Sequence, residues 1–358
     1  MSPRPLRIAG TKVEAGTRAR VELPVARLFT DVWLNLPVTV VHGKEAGPSL
    51  WLDAAIHGDE LNGMEVIRRV LEELDPQRLQ GTLLAVPVVN VFGFVQQDRY
   101  LPDRRDLNRS FPGSAHGSTA ARLAHLFMQE IVSRCHYGID LHTGSLHRNN
   151  LPQIRAFLED LETRRIAEAF GAPMLYQAPE IRGSLRSAAR HTGAHVLVYE
   201  AGGPLRFDPE AIATGVAGVF RVLATLEMWT KRGLARELEQ PPFEAASTRW
   251  IRAARSGICY LECDLGQRVV EKQTLGVIRA PFTRESRRIT APFDGLVIGH
   301  SSNPLAHQGD ALIHLARERV ESAIPDASFA AYLGADQTDP ADPAVENTET
   351  PGSDPGAP

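Results

Sequence analysis

Between residues 50 and 230 of this 358-residue chain, apolar runs of strand length alternate with segments of helical period. That alternation restricts the fold more than any other feature. The run 50–56 (LWLDAAI) leads into Leu61, Met64, Ile67, Val70, Leu71 and Leu74 at helical spacing, until Asp75-Pro76 stops the period. The stretch 81–94 (GTLLAVPVVNVFGF) reads as a buried strand, Ser118-Thr119 opens a helix to about 134, and 137–141 reads as the next strand. A short strand in IRAFL, a helix over 159–170, a short helix in GSLRSAAR and a strand ending at Glu200 follow. A long helix from Asp208-Pro209 to about 230, with proline in its first turn, closes the series. Such a series predicts an α/β fold, a mostly parallel or mixed sheet with helices on both faces. In open sheets of this kind, sites form beyond the carboxyl ends of strands. His57, His142 and Glu200 all stand at such ends.

The flanks have a different texture. Residues 20–42 alternate and turn like antiparallel strands. Residues 250–316 are short strands with turns at Ser256-Gly257, Leu265-Gly266, Pro292-Phe293-Asp294-Gly295 and Gly309-Asp310, without helical period. The expected organisation is an N-terminal extension (1–19), a catalytic domain (20–245), a small all-β domain (246–320) and a mostly disordered tail (321–358) rich in Asp, Pro, Thr, Ser and Gly. A net charge of −4 supplies no basic field for nucleic acid or an anionic membrane. No run approaches the roughly 20 apolar residues of a membrane span. The first residues carry arginines without an apolar stretch, and Cys135, Cys259 and Cys263 are too few for a disulfide framework. A reducing cytoplasm fits. Cys259 and Cys263, spaced C-x3-C, supply only two ligands and suit a strand interior.

His57 and Glu60 in AAIHGDELNG and His142 in GIDLHTGS are the chemistry-bearing set. Two imidazoles and a carboxylate at strand ends form a ligand set for catalytic zinc. An isolated H-x-x-E is a weak pattern; here an apolar strand precedes it, Gly58 permits a sharp turn, and Asp59 and Glu60 stand at a helix start. Asp140, two residues before His142 on the same side of the strand, is placed to orient that imidazole. The loop DRRDLNRSFPG holds Arg104, Arg105, Asn108 and Arg109, with Arg99 just upstream. Guanidinium forks grip carboxylates in bidentate fashion and an asparagine completes the grip, although aspartates in the same loop would also satisfy such cations. Glu200 ends an apolar strand before two glycines; beside zinc, it is a candidate to take a proton from water. No G-x-S-x-G elbow is present, which argues against a serine hydrolase.

HGDE, DLNRSFPG, DLHTG and EAGG, in this order and spacing, resemble the succinylglutamate desuccinylase/aspartoacylase family of the zinc carboxypeptidase superfamily, over roughly residues 20–320. The resemblance implies a carboxypeptidase-like mixed sheet and one zinc per chain held by His57, Glu60 and His142. It implies Glu200 as the base that activates water and later protonates the amine, and Asn108 and Arg109 as the grip on a substrate carboxylate. A family arginine that polarises the scissile carbonyl corresponds to Arg99 if two residues are inserted before DLNR, or to Arg105 by proximity. Arg186 is similar to a further substrate arginine, across a longer gap to Glu200. The C-terminal segment resembles a barrel-sandwich hybrid of the biotinyl/lipoyl type, but the hairpin RAPFTRESRR lacks the carrier lysine, so a structural or interface role without a prosthetic group is expected. The expected activity is zinc-dependent hydrolysis of an N-acyl amino acid or related amide bearing a carboxylate. A carboxypeptidase acting on short peptides and a non-catalytic metabolite-binding protein are the alternatives. A homo-oligomer is compatible with the extra β domain; neither nucleic acid nor membrane is expected as a partner.

Overall fold

A computed structural model describes residues 3–229 and 241–319. The tail expected to be disordered lies outside these residues. A hairpin of β1 (Leu6–Ile8) and β2 (Thr11–Val13) precedes β3 (Thr17–Arg27), β4 (Trp33–His42), β5 (Glu45–Ala54), α1 (Asn62–Glu73), β6 (Gln80–Val86) and α2 (Val91–Gln96). Then come α3 (Thr119–Glu130), β7 (Tyr137–His142), β8 (Arg148–Ala156), α4 (Leu161–Phe170), β9 (Met174–Gln177), α5 (Leu185–Arg190), β10 (His195–Gly202) and α6 (Pro209–Thr225). The C-terminal strands are β11 (Phe243–Arg252), β12 (Gly257–Leu261), β13 (Arg268–Val269), β14 (Thr274–Arg279), β15 (Ser286–Thr290), β16 (Gly295–Ser301), β17 (Leu305–Ala306) and β18 (Ala311–Glu318).

A mixed sheet of twelve strands, ordered β13-β16-β18-β11-β9-β8-β10-β7-β5-β6-β4-β3, organises the chain. Its centre is parallel: β10, β7, β5 and β6 run side by side, and β8 enters antiparallel to β10. Side chains alternate between two cores, as the pleat requires. Leu50, Leu52, Ile139, Leu141, Leu197 and Tyr199 face one core with residues of α1, α4 and α6. Trp51 and Val196 face the other, with residues of α3 and α5. The small sheet β15-β14-β12-β17 encloses a further core with β16 and β18, built on Leu275, Ile278, Ile289, Val297, Ile313 and Leu315. No helix among the described residues is long and apolar enough to cross a membrane.

Three local expectations change. The strand expected over 50–56 ends at Ala54, because Ala55 turns into the left-handed region (φ 50°) and the carbonyls of Ala54 and Ala55 accept from Val89 and Asn90 N–H. The run 81–94 is a strand only to Val86; beyond Pro87, the Asn90 side chain accepts from Gly93 N–H and caps α2. The long helix α6 ends at Thr225, short of the expected 230. The short strand at 174–177 is an addition, too brief to stand out from a loop.

Gly138 on β7 is in register with Trp51 on β5, and its missing side chain is where the indole lies. A Cβ there would sit 2.0 Å from the Trp51 ring. Gly138→Ala is expected to cost about 3 kcal/mol through overpacking of a closed core. Urea unfolding measures this; a variant as stable as the parent would mean that the indole can swing aside.

Candidate active site

The sharp exit from β5 puts His57 at the sheet's carboxyl edge. Gly58 makes that exit feasible, since a Cβ would lie 2.0 Å from the Gly93 carbonyl carbon. Glu60 follows just before α1, and His142 ends β7. The trio is almost fully buried, at 4%, 2% and 4% exposure, and its ligand atoms lie within 4.8 Å of one another. His57 Nδ1 is 2.8 Å from Glu60 Oε1, and His142 Nδ1 is 2.8 Å from Glu60 Oε2. Ser145 Oγ donates to Oε1 at 2.5 Å and Thr143 N–H donates to Oε2 at 3.0 Å. Burial opposes the Glu60 charge, but the two imidazoles outweigh it and hold the carboxyl well below the usual carboxylate range.

The far nitrogen of each ring faces an aspartate. His57 Nε2 is 3.1 Å from Asp106 Oδ1, and His142 Nε2 is 2.8 Å from Asp140 Oδ1, off the hydrogen-bond direction. Each Nδ1 therefore points inward while an aspartate orients the ring from behind. Burial disfavours a charge on both imidazoles. For His57, Arg99 adds to that penalty, and Glu60 and Asp106 overcome both; for His142, Asp140 and Glu60 do so, so both pKa values are raised. Asp53, in register with Asp140 and accepting from the Trp51 indole N–H at 2.7 Å, is raised well above the ordinary aspartate value by burial and by Asp140.

Arg99 is brought to this centre. It is 5% exposed, with Nη1 donating to Ser145 Oγ at 2.7 Å, Nη2 donating to Asp106 Oδ2 at 2.7 Å, and Glu60 Oε1 3.8 Å away. Arg105 is not: its side chain is exposed, with Asp103 3.9 Å distant. Asn108 and Arg109 form a 3-10 turn capped by Asp106, whose Oδ1 accepts from Asn108 N–H at 2.7 Å. Asn108 Oδ1 accepts from Leu185 N–H, tying this turn to the start of α5. Arg186, one residue on, donates to the carbonyls of Ala178 and Pro179, and burial together with Arg155 brings its pKa down to about 10.

Glu200 is the registered neighbour of His142 across β10 and β7. Its Oε2 accepts from Asn150 Nδ2 at 2.9 Å, and Arg155 Nη1 lies 3.4 Å from Oε1. Sequence reasoning passed over Asp106, Ser145, Asn150 and Arg155. Asp106 and Ser145 stood inside the motifs DLNR and DLHTGS, and the capping position of Asp106 was a usable signal. Asn150 and Arg155 carry none, because only strand pairing brings β8 against Glu200.

Both imidazole pKa values are raised in the metal-free site, and ligands must be deprotonated, so metal uptake competes with protons for the rings. Affinity for a divalent metal ion is therefore expected to rise with pH, with protons released on uptake. Calorimetry in buffers of different ionisation enthalpy reads this directly; uptake without proton release would mean that the rings are neutral beforehand.

The chain is similar to known proteins in sequence and in fold. Residues 46–226 match the succinylglutamate desuccinylase/aspartoacylase catalytic domain. An N-alpha-acetyl-L-2,4-diaminobutyric acid deacetylase from Halomonas elongata is 27% identical over 326 residues, covering 84% of this chain and 91% of that protein. A succinylglutamate desuccinylase/aspartoacylase structure from Rhodobacter sphaeroides superposes with a TM-score of 0.73 at 25% identity, over 84% of this chain and 96% of the other. The product-bound ectoine utilization protein EutE (DoeB) from Ruegeria pomeroyi shares the fold, with a TM-score of 0.75 at 24% identity over 84% and 94%. The family match spans every residue of the trio together with Arg99, Asp106 and Glu200, and the chain belongs to the succinylglutamate desuccinylase/aspartoacylase family.

Proposed function

We propose that this protein is a zinc-dependent amidohydrolase that removes a short acyl group from an N-acyl amino acid or related N-acylated amine. The observation that carries this reading is a buried His57–Glu60–His142 set with a carboxylate, Glu200, in register beside it. The donor set suits zinc: two imidazoles and a carboxylate converge, and each ring is oriented from behind by an aspartate. When bound there, one zinc would supply Lewis acidity, polarising the amide carbonyl and making water a stronger acid.

The chain's own groups supply the rest. Glu200, held by Asn150 and Arg155, takes the proton of the attacking water and returns it to the departing amine. Arg99, anchored on Asp106 and Ser145, places its guanidinium beside the trio, where it opposes the negative charge that develops on the carbonyl oxygen. Arg105 is too far out for that role. Asn108 and Arg109, with Arg186 behind them, grip the substrate carboxylate; Asn108 spends its carbonyl on α5 and so offers its amide N–H₂. A carboxypeptidase would use the same residues; the acetyl-diaminobutyrate deacetylase relative favours acyl removal. All three cysteines are unpaired thiols, in keeping with a cytoplasmic enzyme.

Glu200→Gln is expected to keep its zinc, by metal analysis, while amine release falls about 10²–10⁴-fold. The substrates are a panel of N-acetyl, N-succinyl and N-formyl amino acids and diamines. Undiminished turnover in the variant would remove Glu200 from the proton path.

A further inference from the structure

Behind His142, on the side away from Glu60, two carboxyl groups share a space closed to solvent. Asp53 on β5 and Asp140 on β7 are registered partners across parallel strands, and both are fully buried. Residues paired in this way lie side by side on one face of the pleat. Their other registered neighbours bring apolar side chains only: Val86 on β6 beside Asp53, and Val198 on β10 beside Asp140.

The pair is met by a nitrogen at each end. The Trp51 indole N–H donates to Asp53 Oδ1 at 2.7 Å, and His142 Nε2 lies 2.8 Å from Asp140 Oδ1. Between those ends, Asp53 Oδ2 and Asp140 Oδ2 meet no N–H or O–H donor among the described residues. The two carboxyls nevertheless lie within hydrogen-bonding reach of each other. Two ionised carboxylates cannot face each other in a dry core, whereas one proton between them turns repulsion into a hydrogen bond. Burial and the charge of Asp140 favour the neutral form of Asp53, against the weaker pull of His142 and the indole. Trp51 already occupies Oδ1, which leaves Oδ2 to carry the proton.

We propose that Asp53 is a positioning residue for His142: as a neutral carboxylic acid anchored by Trp51, it donates a hydrogen bond from Oδ2 to Asp140 and holds that carboxylate against His142 Nε2. This role rests on the reading of the trio as a zinc site, and not on the substrate. It needs a neutral donor at Asp53 and no change of protonation. With one oxygen held, Asp140 cannot turn away from the ring, so Nε2–H stays outward and the Nδ1 lone pair stays aimed past Glu60 into the site. His57 is backed differently. Asp106 offers Oδ1 to that ring and Oδ2 to the Arg99 guanidinium, which draws charge from the carboxylate. A neutral acid leaves more charge on Asp140, so His142 is the more strongly polarised imidazole of the two.

Full-length protein tests this role, with zinc alone as the probe. The metal-free parent, Asp53→Leu and Asp53→Asn are titrated with zinc against a competing chelator. Leucine fills the space but donates nothing, and Asp53→Leu is expected to bind zinc about ten- to a hundred-fold more weakly. Asparagine keeps an acceptor for the indole and an N–H₂ donor for Asp140, so Asp53→Asn should recover most of that loss. The infrared difference spectrum of metal-free parent minus Asp53→Asn, at neutral pH, should contain the C=O band of one protonated carboxylic acid. That band needs neither turnover nor a folded Asp53→Leu protein. Its absence overturns the proposal, as does a folded Asp53→Leu protein that binds zinc as tightly as the parent. An Asp53→Asn protein that loses about ten-fold or more in affinity overturns it too. A parent that takes up no zinc removes the metal site, and this role with it. If the affinities and the band come out as expected while no N-acyl amino acid is hydrolysed, the deacylase reading fails and the role of Asp53 stands.

Discussion

A carboxylate buried at 2% exposure is tolerable only when its charge is met on every side, and that requirement on Glu60 organises the site. Its two oxygens are matched by His57 and His142, by the Ser145 hydroxyl and by the Thr143 N–H. Those partners come from the exit of β5 and from the end of β7. They meet because the two strands are parallel neighbours in a fixed register, Asp53 opposite Asp140. A slip of one residue would turn Asp140 and His142 into the opposite core. The close fit of Trp51 into the space left by Gly138 resists that slip.

Around this centre the charges form nested layers. Asp106 and Asp140 stand behind the imidazoles, and Asp106 also holds Arg99, so one carboxylate meets an imidazole of the trio and a cation at once. Outside them, Asn150 and Arg155 on β8 flank Glu200. The C-terminal strands extend this arrangement, because β16 pairs directly with β8 and carries the sheet on to His314 and Trp250. The hairpin of β14 and β15 belongs to the smaller sheet.

Much of this was legible in the residues themselves. Apolar runs and helical periods located the strands and helices of the α/β core, since burial of one face per element imposes those periods. Apolar runs placed His57, His142 and Glu200 at strand ends and Glu60 at a helix start. The run 81–94 was misread because an apolar stretch has no period that separates a buried strand from a short helix; Asn90 as a cap decides it. Whether Arg99 or Arg105 faces the His57–Glu60–His142 set was undecidable by spacing, because a two-residue insertion moves one arginine in and the other out.

The sequence by itself determined the fold class and the family motifs, and it singled out His57, Glu60 and His142, because apolar periodicity and residue types within each motif are local. The tertiary structure alone decided which arginine is buried beside Glu60, which aspartates stand behind the imidazoles, and which residues of β8 flank Glu200. Those choices depend on strand pairing between segments tens to more than a hundred residues apart, and no local pattern in a single chain encodes that pairing.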